Sequence, residues 1–192
     1  MNSEHSTEES KVRLDTFDPK SGLDRGRSKL VEIIWYLTKL VFFLSAFPWP
    51  RGLKHFLLRC FGAAIGMGVV IKPRVNIHFP WKLIVGDHAW IGEECFILNF
   101  EAVTIGAHAC LSQRTFLCGG NHDFRSPSFE YRNKPITIGA GSWIGAQSFI
   151  GPGVNVGSNT VVAAGSIVTK SLPVNAVCAG NPCEVKSTRW KD

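Results

Sequence analysis

The sequence predicts an all-β fold, a parallel β-helix of about five coils with capping helices at its N-terminal end. Three observations carry this. First, an aliphatic residue recurs every six positions in triplets, at 65, 71, 77; 85, 91, 97; 105, 111, 117; 138, 144, 150; and 156, 162, 168. Second, glycine often follows it, at Gly66, Gly86, Gly92, Gly106, Gly139, Gly145, Gly151 and Gly157. Third, small or β-branched residues stand four places after it, among them Val69, Ala89, Cys95, Ala109, Ser142 and Thr160. A six-residue beat is one short strand plus one corner, so three beats close a triangular coil with the aliphatic side chain inside. Stacked coils pair as parallel strands roughly 4.8 Å apart. The small residue fits near the corner, and glycine is expected where the backbone turns sharply. A 3.6-residue period or a βαβ alternation does not fit this pattern.

Taken in order, residues 1–29 are polar, charged and turn-rich, and read as a mobile tail with a few docking contacts. Residues 30–64 form a helical segment. Its first run, LVEIIWYLTKLVFFLSAF (30–47), is almost wholly apolar; Ser28 is placed to cap it and PWP (48–50) to end it. A second short helix follows at 52–61, GLKHFLLRCF. The first run approaches membrane-spanning length, but Glu32 and Lys39 lie inside it. Each would cost about 2.5–3.5 kcal/mol near a bilayer centre. These helices are therefore read as a cover for the open end of the coil stack, as an interfacial membrane contact through 30–61, or as both. The β-helix runs over 65–185, and its coils start 20, 20, 33 and 18 residues apart. Two extra residues are expected at Leu83-Ile84 and two at Val103-Thr104. The third interval carries an inserted loop over 118–135, and 186–192 reads as a C-terminal tail.

With 192 residues, 45% of them hydrophobic, the chain can bury one real core. Its six cysteines form no CxxC pair and read as reduced core residues, which argues against a disulfide framework or a zinc site. MNSEHSTEESK has no signal-peptide pattern, so a cytoplasmic protein is expected, with no nucleic-acid partner. The formal charge of +6 suits an anionic ligand or an anionic membrane face.

The beat breaks at LCGGNHDF (117–124). Stacking the coils places Phe79, Asn99 and Gly119 in one column, Trp81, Glu101 and Asn121 in a second, and Lys82, Ala102 and His122 in a third. The preference for small residues fails at all three members of the second column, beside the emerging loop, which marks a candidate site. The plainer account is that Trp81 and Glu101 pack against the loop.

The segments LLRCFGAAIGMGVVIKPRVNIHFPWKLIVGDHAWIGEECFILNFEAVTIG, LSQRTFLCGGNHDFRSPSF and AAGSIVTKSLPVNAVCAGNPCEV resemble the hexapeptide-repeat acyltransferases. The likeness is narrowest to O-acetyltransferases of the colanic-acid-biosynthesis type, relatives of the galactoside, maltose and nodulation enzymes, and covers about residues 28–185. It implies left-handed winding, a homotrimer, and acetyl transfer from acetyl-CoA to a sugar or polysaccharide-precursor hydroxyl, without a metal. It also implies His122 as general base, with Asp123 or a backbone carbonyl on its second ring nitrogen. Asn99 would contact the acceptor, Glu101 a sugar hydroxyl or the histidine, and Trp143 would flank the acetyl end of the tunnel. Ala146 and Ala164 would offer backbone contacts to the pantetheine arm. Thr169 and Lys170 would lie near the pyrophosphate and adenosine. Relatives often carry a basic residue where this chain has Glu184, so Lys186 and Arg189 are the candidates for that phosphate contact.

Three rival readings use other residues. His88 and His108, one coil apart, could serve a metal-dependent hydratase on the same fold, but the close HxxxxH pair that chemistry needs is missing. Cys118 could be a nucleophile, though core packing suits it better. A non-catalytic assembly module is the reading from another class, against which the histidine loop and the coenzyme motif both stand. Within the fold, a small acceptor such as a free sugar, serine or a drug is the alternative to a polysaccharide precursor.

Overall fold

The computed structural model describes residues 10–191. The hexads fold into the expected three-sided parallel solenoid, consistent with left-handed winding. The first face stacks Ala64–Ile65, Leu83–Val85, Val103–Ile105, Ile136–Ile138 and Asn155–Val156. The second stacks Val70–Ile71, Trp90–Ile91, Cys110–Leu111, Trp143–Ile144, Val161–Val162 and Ala176–Ala179. The third stacks Asn76–Ile77, Phe96–Leu98, Phe116–Cys118, Phe149–Ile150 and Ile167–Val168. Five coils are complete. A partial sixth follows, in which Leu172 bridges Val156 before Ala176–Ala179 joins the second face. Glu184–Thr188 then pairs antiparallel with Ala176–Ala179 and closes that end. The tail expected from 186 therefore begins inside a strand.

The core is the aliphatic ladder. Ile65, Val85, Ile105, Ile138 and Val156 lie in register up the first face, and equivalent ladders run up the other two. The small residues four places on are buried at the corners, and their hydroxyls find carbonyls: Ser142 Oγ donates to Gly157 at 2.8 Å and Ser148 Oγ to Ala163 at 3.1 Å.

Glycine serves sharp turns, as expected, at Gly68, Gly141, Gly153 and Gly165, with φ of +66 to +81°, while the glycines directly after the aliphatic residue have a different task. The left-handed turn is taken three places after the aliphatic residue, by Arg74, His88, Glu94, His108, Arg114, Gln147 and Asn159 among others, with φ near +57 to +60°. The glycine one place after it is needed because the next coil passes close: a Cβ on Gly86 would lie 2.5 Å from the Ala107 nitrogen. The extra residues also fall elsewhere. Leu83–Val85 and Val103–Ile105 are intact strands, so the slack is taken up at 79–82 and 99–102, where Pro80–Lys82 makes a 3-10 turn.

Each aliphatic carbonyl points toward the preceding coil and accepts from the N–H that follows that coil's aliphatic residue: Gly86 N donates to Ile105 O and Gly92 N to Leu111 O, both at 2.8 Å. The first coil has no predecessor, so the carbonyls of Ile65, Ile71 and Ile77 need other donors. Two helices supply them. From α2 (Arg51–Cys60), Arg59 Nη2 donates to Ile65 O at 2.6 Å, and Lys54 Nζ to Ile71 O and Lys72 O, both at 3.2 Å. From α1 (Lys29–Phe42), Trp35 Nε1 donates to Ile77 O at 3.2 Å and His78 O at 3.0 Å. The helices thus cover the open end, one donor set per face. α1 stops at Phe42 rather than 47, and Ser28, though at the N-cap, makes no side-chain capping bond.

Residues 10–28 are no free tail. Leu23 is buried, Trp81 Nε1 donates to Arg25 O at 2.8 Å, Lys82 Nζ binds Asp24 O, and Arg13 N donates to Pro127 O at 2.8 Å. Trp81, one of the misfits of the second column, therefore secures the N-terminal segment. The part of the expected tail at 1–9 lies outside the described residues. Of the cysteines, Cys95 and Cys178 are buried, while Cys60 is exposed, unlike the core position expected of it.

Lys54→Met removes the donor to the buried Ile71 carbonyl and the half-buried Lys72 carbonyl and is expected to lower stability by about 2 kcal/mol. The check is a shift in urea midpoint at unchanged slope. Burial holds His78 down at about 4. The unfolded chain takes up this proton near its ordinary pKa of ~6.5. The His78 contribution is thus full above that pH and is lost as pH falls from about 6.5 to 4, on the order of 2–3 kcal/mol. His78→Gln should flatten stability over this window in denaturation curves taken at successive pH values.

Candidate active site

The inserted loop leaves the edge between the third and first faces after Phe116–Cys118. It folds back on itself as an antiparallel bridge between His122 and Tyr131, with Asp123 N donating to Glu130 O at 2.7 Å and Arg132 N to Asn121 O at 2.8 Å. The fold-back sets the His122 ring. Its Nδ1 lies 2.7 Å from the Phe129 carbonyl oxygen. A carbonyl can only accept, so Nδ1 carries the proton and Nε2 keeps a lone pair. The ring stacks on Phe129 at 4.4 Å and 10°, tilts against Tyr131 at 4.8 Å, and meets the edge of Phe17 at 5.4 Å. An imidazole with one nitrogen committed and the other free, boxed by three aromatic rings and half-buried, can accept a proton from a bound hydroxyl.

Of the two candidates for the second ring nitrogen, the carbonyl holds it. Asp123 does not touch the ring: its carboxylate accepts from Arg125 N at 3.1 Å and faces Arg132 Nη1 at 3.6 Å. Its expected catalytic role is corrected to that of a loop brace. Asn99 is likewise turned inward. It is fully buried, and its side-chain amide accepts from Phe79 N at 2.9 Å and donates to Phe79 O at 2.5 Å. It ties the two enlarged corners together and presents nothing to an acceptor. Glu101 is half-buried beside that corner. Trp143 is 49% exposed on the second face, its Nε1 donating to Ser112 Oγ at 2.9 Å.

The expected coenzyme contacts fall on different edges of the prism. Ala146 and Ala164 lie in successive coils between the second and third faces, joined by Gly165 N donating to Ala146 O at 2.8 Å. Beside them a Cβ on Gly165 would meet nothing within 4 Å, so this edge is open to a slender ligand arm. Thr169 and Lys170 are exposed on the edge between the third and first faces, the edge from which the histidine loop departs. Lys186 is exposed in the closing strand and paired with Glu184 at 3.1 Å. Arg189 sits at the remaining edge, donating to Gly141 O at 2.8 Å and Asn159 O at 3.3 Å and stacking on Trp190. It fastens the closing strand rather than standing with Ala146 and Ala164. One chain brings His122, Phe17, Phe129 and Tyr131 together. It does not bring them to the Ala146–Ala164 edge.

Phe17 and Phe129 were not among the expected site residues. The alternation in SFEYR (128–132) was a strand signal for Phe129, whereas Phe17 lies in a polar segment with no periodic cue. His88 and His108 stack at 5.1 Å on the corner expected of them. No group of three or more His, Cys, Asp or Glu among the described residues is arranged to hold a metal. The Cys118 thiol is pushed up by burial and donates to Gly120 O at 3.3 Å, which suits packing rather than attack.

A family model described as the hexapeptide repeat of succinyl-transferase matches residues 135–170. The chain is 43% identical over 172 residues, 90% of its length and 94% of the relative's, to the protein named for colanic acid biosynthesis acetyltransferase, WcaF, of Escherichia coli (strain K12). It is 33% identical over 135 residues to the galactoside O-acetyltransferase of the same strain, spanning 69% of this chain and 66% of that one. Among solved structures, the hexapeptide-repeat acetyltransferase VCA0836 of Vibrio cholerae, complexed with acetyl coenzyme A, aligns with TM-score 0.76 at 25% identity over 85% of this chain and 89% of that one. A galactoside acetyltransferase in complex with coenzyme A aligns with TM-score 0.74 at 28% identity over 84% and 82%.

The neutral His122 ring should show the Nδ1–H tautomer in nitrogen-15 correlation spectra, and Asp123→Asn should leave that tautomer unchanged. A switch to Nε2–H in the variant would return Asp123 to the ring.

Proposed function

The chain belongs to the hexapeptide-repeat acetyltransferases, and on that premise we propose that it moves acetyl from acetyl-CoA to a hydroxyl of a sugar in an exopolysaccharide or its lipid-linked precursor. The observation that carries the proposal is the 2.7 Å contact between His122 Nδ1 and the Phe129 carbonyl, which leaves Nε2 as the proton acceptor. An alcohol is a weak nucleophile until its proton is drawn off. In a ternary complex the acceptor oxygen forms a bond to the thioester carbonyl carbon while its proton passes to Nε2. The tetrahedral adduct then collapses, the C–S bond breaks, and Nε2 returns the proton to the departing sulfur. The products are the sugar ester and coenzyme A thiol, and His122 ends as it began.

The open edge at Ala146 and Ala164 fits a pantetheine arm, since short side chains let the ligand approach the backbone. Thr169 and Lys170, on the edge between the third and first faces, and Lys186, in the closing strand, are read as the hydroxyl and cations that meet its phosphates. Because His122 and that edge are separated within one chain, the working site is read as a cleft between neighbouring copies of a trimer, each contributing one side. Trp143, exposed and steadied by Ser112, is read as a wall of that cleft, and Glu101 as a contact to the acceptor. The reaction is placed on the cytoplasmic side, where acetyl-CoA is available.

Acetyl-CoA with pooled sugar acceptors should give acceptor-dependent free thiol. His122→Ala is expected to lower the rate at least ~100-fold while coenzyme A binding is unchanged. A His122→Ala protein that keeps its rate would remove the general base from this account. Light scattering at assay concentration should find the active species trimeric, and a fully active monomer would remove the shared cleft.

A further inference from the structure

α1 is amphipathic the wrong way round for a protein surface. Its inward arc carries Trp35, Lys39 and Glu32, while Leu30, Ile33, Ile34, Tyr36, Leu37, Leu40 and Val41 point outward, each 42–66% exposed. A surface helix ordinarily turns its charged side to water, and a contiguous apolar patch of this kind marks a contact. The charge around it has one sign. Residues 25–60 hold seven Lys and Arg against one carboxylate, a surplus of six that equals the charge of the whole chain. Arg27, Lys29 and Arg51 are exposed, whereas Arg25 is engaged by Glu32. No helix among the described residues is long and apolar enough to cross a membrane.

Beside this face lies a cavity of about 400 Å³ lined by Arg25, Lys29, Glu32, Trp35, Lys39, His78 and Trp81, among others, its one carboxylate, Glu32, paired with Arg25, and with Ile33 and Tyr36 shared between cavity and face. Lys39 is only 7% exposed, and among the described residues its ammonium has no hydrogen bond or ion pair; its nearest aromatic partner is Tyr36 at 5.7 Å. A buried cation without an anion is costly, and an entering anion would relieve that cost. The cavity is also linked to the histidine: Phe79 meets Phe100 at 6.0 Å, Phe100 meets Tyr131 at 5.9 Å, and Tyr131 meets His122 at 4.8 Å.

We propose that the outward face of α1 lies on an anionic bilayer surface and that the cavity takes the phosphate of a lipid-borne molecule against Lys39. Interfacial seating fits a 14-residue helix with an apolar arc and basic flanks, which can lie on a membrane but not span it. Resting on the acetyl-transfer reading, the inference makes the acceptor lipid-anchored, held at its phosphate while its sugar reaches His122.

The test is flotation of the full chain with phosphatidylcholine vesicles, with and without phosphatidylglycerol. The wild type is expected to float with the mixed vesicles, less so with phosphatidylcholine alone, and less as salt is raised. Leu37→Gln/Leu40→Gln alters side chains already exposed and should lower the bound fraction tenfold or more. Lys39→Met should lower it on mixed vesicles. Both variants should keep coenzyme A binding, so failure here is separable from failure of the acetyl-transfer reading. A wild type that stays in solution with both vesicles, or a double variant that floats like wild type, overturns the membrane face. A double variant that instead changes oligomeric state in light scattering shows the face to be an interface between copies. Unchanged flotation of Lys39→Met overturns the phosphate at Lys39.

Discussion

Three carbonyls without a preceding coil decide much of this molecule. In a parallel solenoid every coil hands its carbonyls back to the one before, so carbonyls lack donors only at its first turn, as N–H groups lack acceptors only at its last. An unpaired buried acceptor costs about 1–3 kcal/mol. The ends of Ile65, Ile71 and Ile77 are met by Arg59, Lys54 and Trp35, one from each point where a helix passes over a face. That solution has a consequence for the helices. Polar and indole donors must face inward, so the inward arcs carry groups that a surface helix would normally show to water. The apolar residues of α1 and Phe56 of α2 are left on the outside. The inward-turned Lys54 of α2 and the capped coil are two results of one hydrogen-bonding requirement.

The rigidity of the stack explains where the variable chemistry sits. A coil fixed by ladder bonds above and below cannot move a side chain toward a substrate. An insertion at one corner can, if it holds itself together. The loop from 118 to 135 does so by bridging His122 to Tyr131, and the segment from 10 to 28 lies across it through Arg13 and Phe17. The histidine is therefore held by a neutral carbonyl, aromatic stacking and a strap from the chain's own N-terminal part. A carbonyl, which can only accept, fixes the tautomer without a carboxylate, and it leaves Asp123 free to brace Arg132.

What was legible in the sequence follows from what periodicity measures. The six-residue beat reports side chains that face the core, so the coils, their register and the buried small residues could be read directly. It does not report which backbone atoms need partners. Hence Lys54 and Arg59 read only as the polar side of an amphipathic helix, while they are the caps of two faces. The glycines directly after the aliphatic residue were assigned to turns because turning is their commonest use. Their actual requirement, clearance from the next coil at Gly86 and its equivalents, depends on a neighbour twenty or more residues away. Asn99 matched a position in related enzymes but not an orientation: the enlarged corner folds its amide onto Phe79. Phe17 lies in a segment of tail-like composition, and only the folded loop gives it something to pack on.

The division of the expected coenzyme contacts among the prism edges bears on assembly and on the membrane face together. On the proposed reading, the edge at Ala146 and Ala164 and the histidine on another edge meet when a second copy brings them together. In a cyclic assembly all copies stand at the same height along the axis, so their N-terminal ends share one side. Each α1 face then shares any component it has along that axis with the others. A single 14-residue helix seats weakly on a bilayer. Several presented together add as linked contacts do, without any new residue. Assembly that completes the cleft would thus also gather the membrane contacts, and an enzyme acting on a lipid-anchored sugar would meet its acceptor only in the form that can use it.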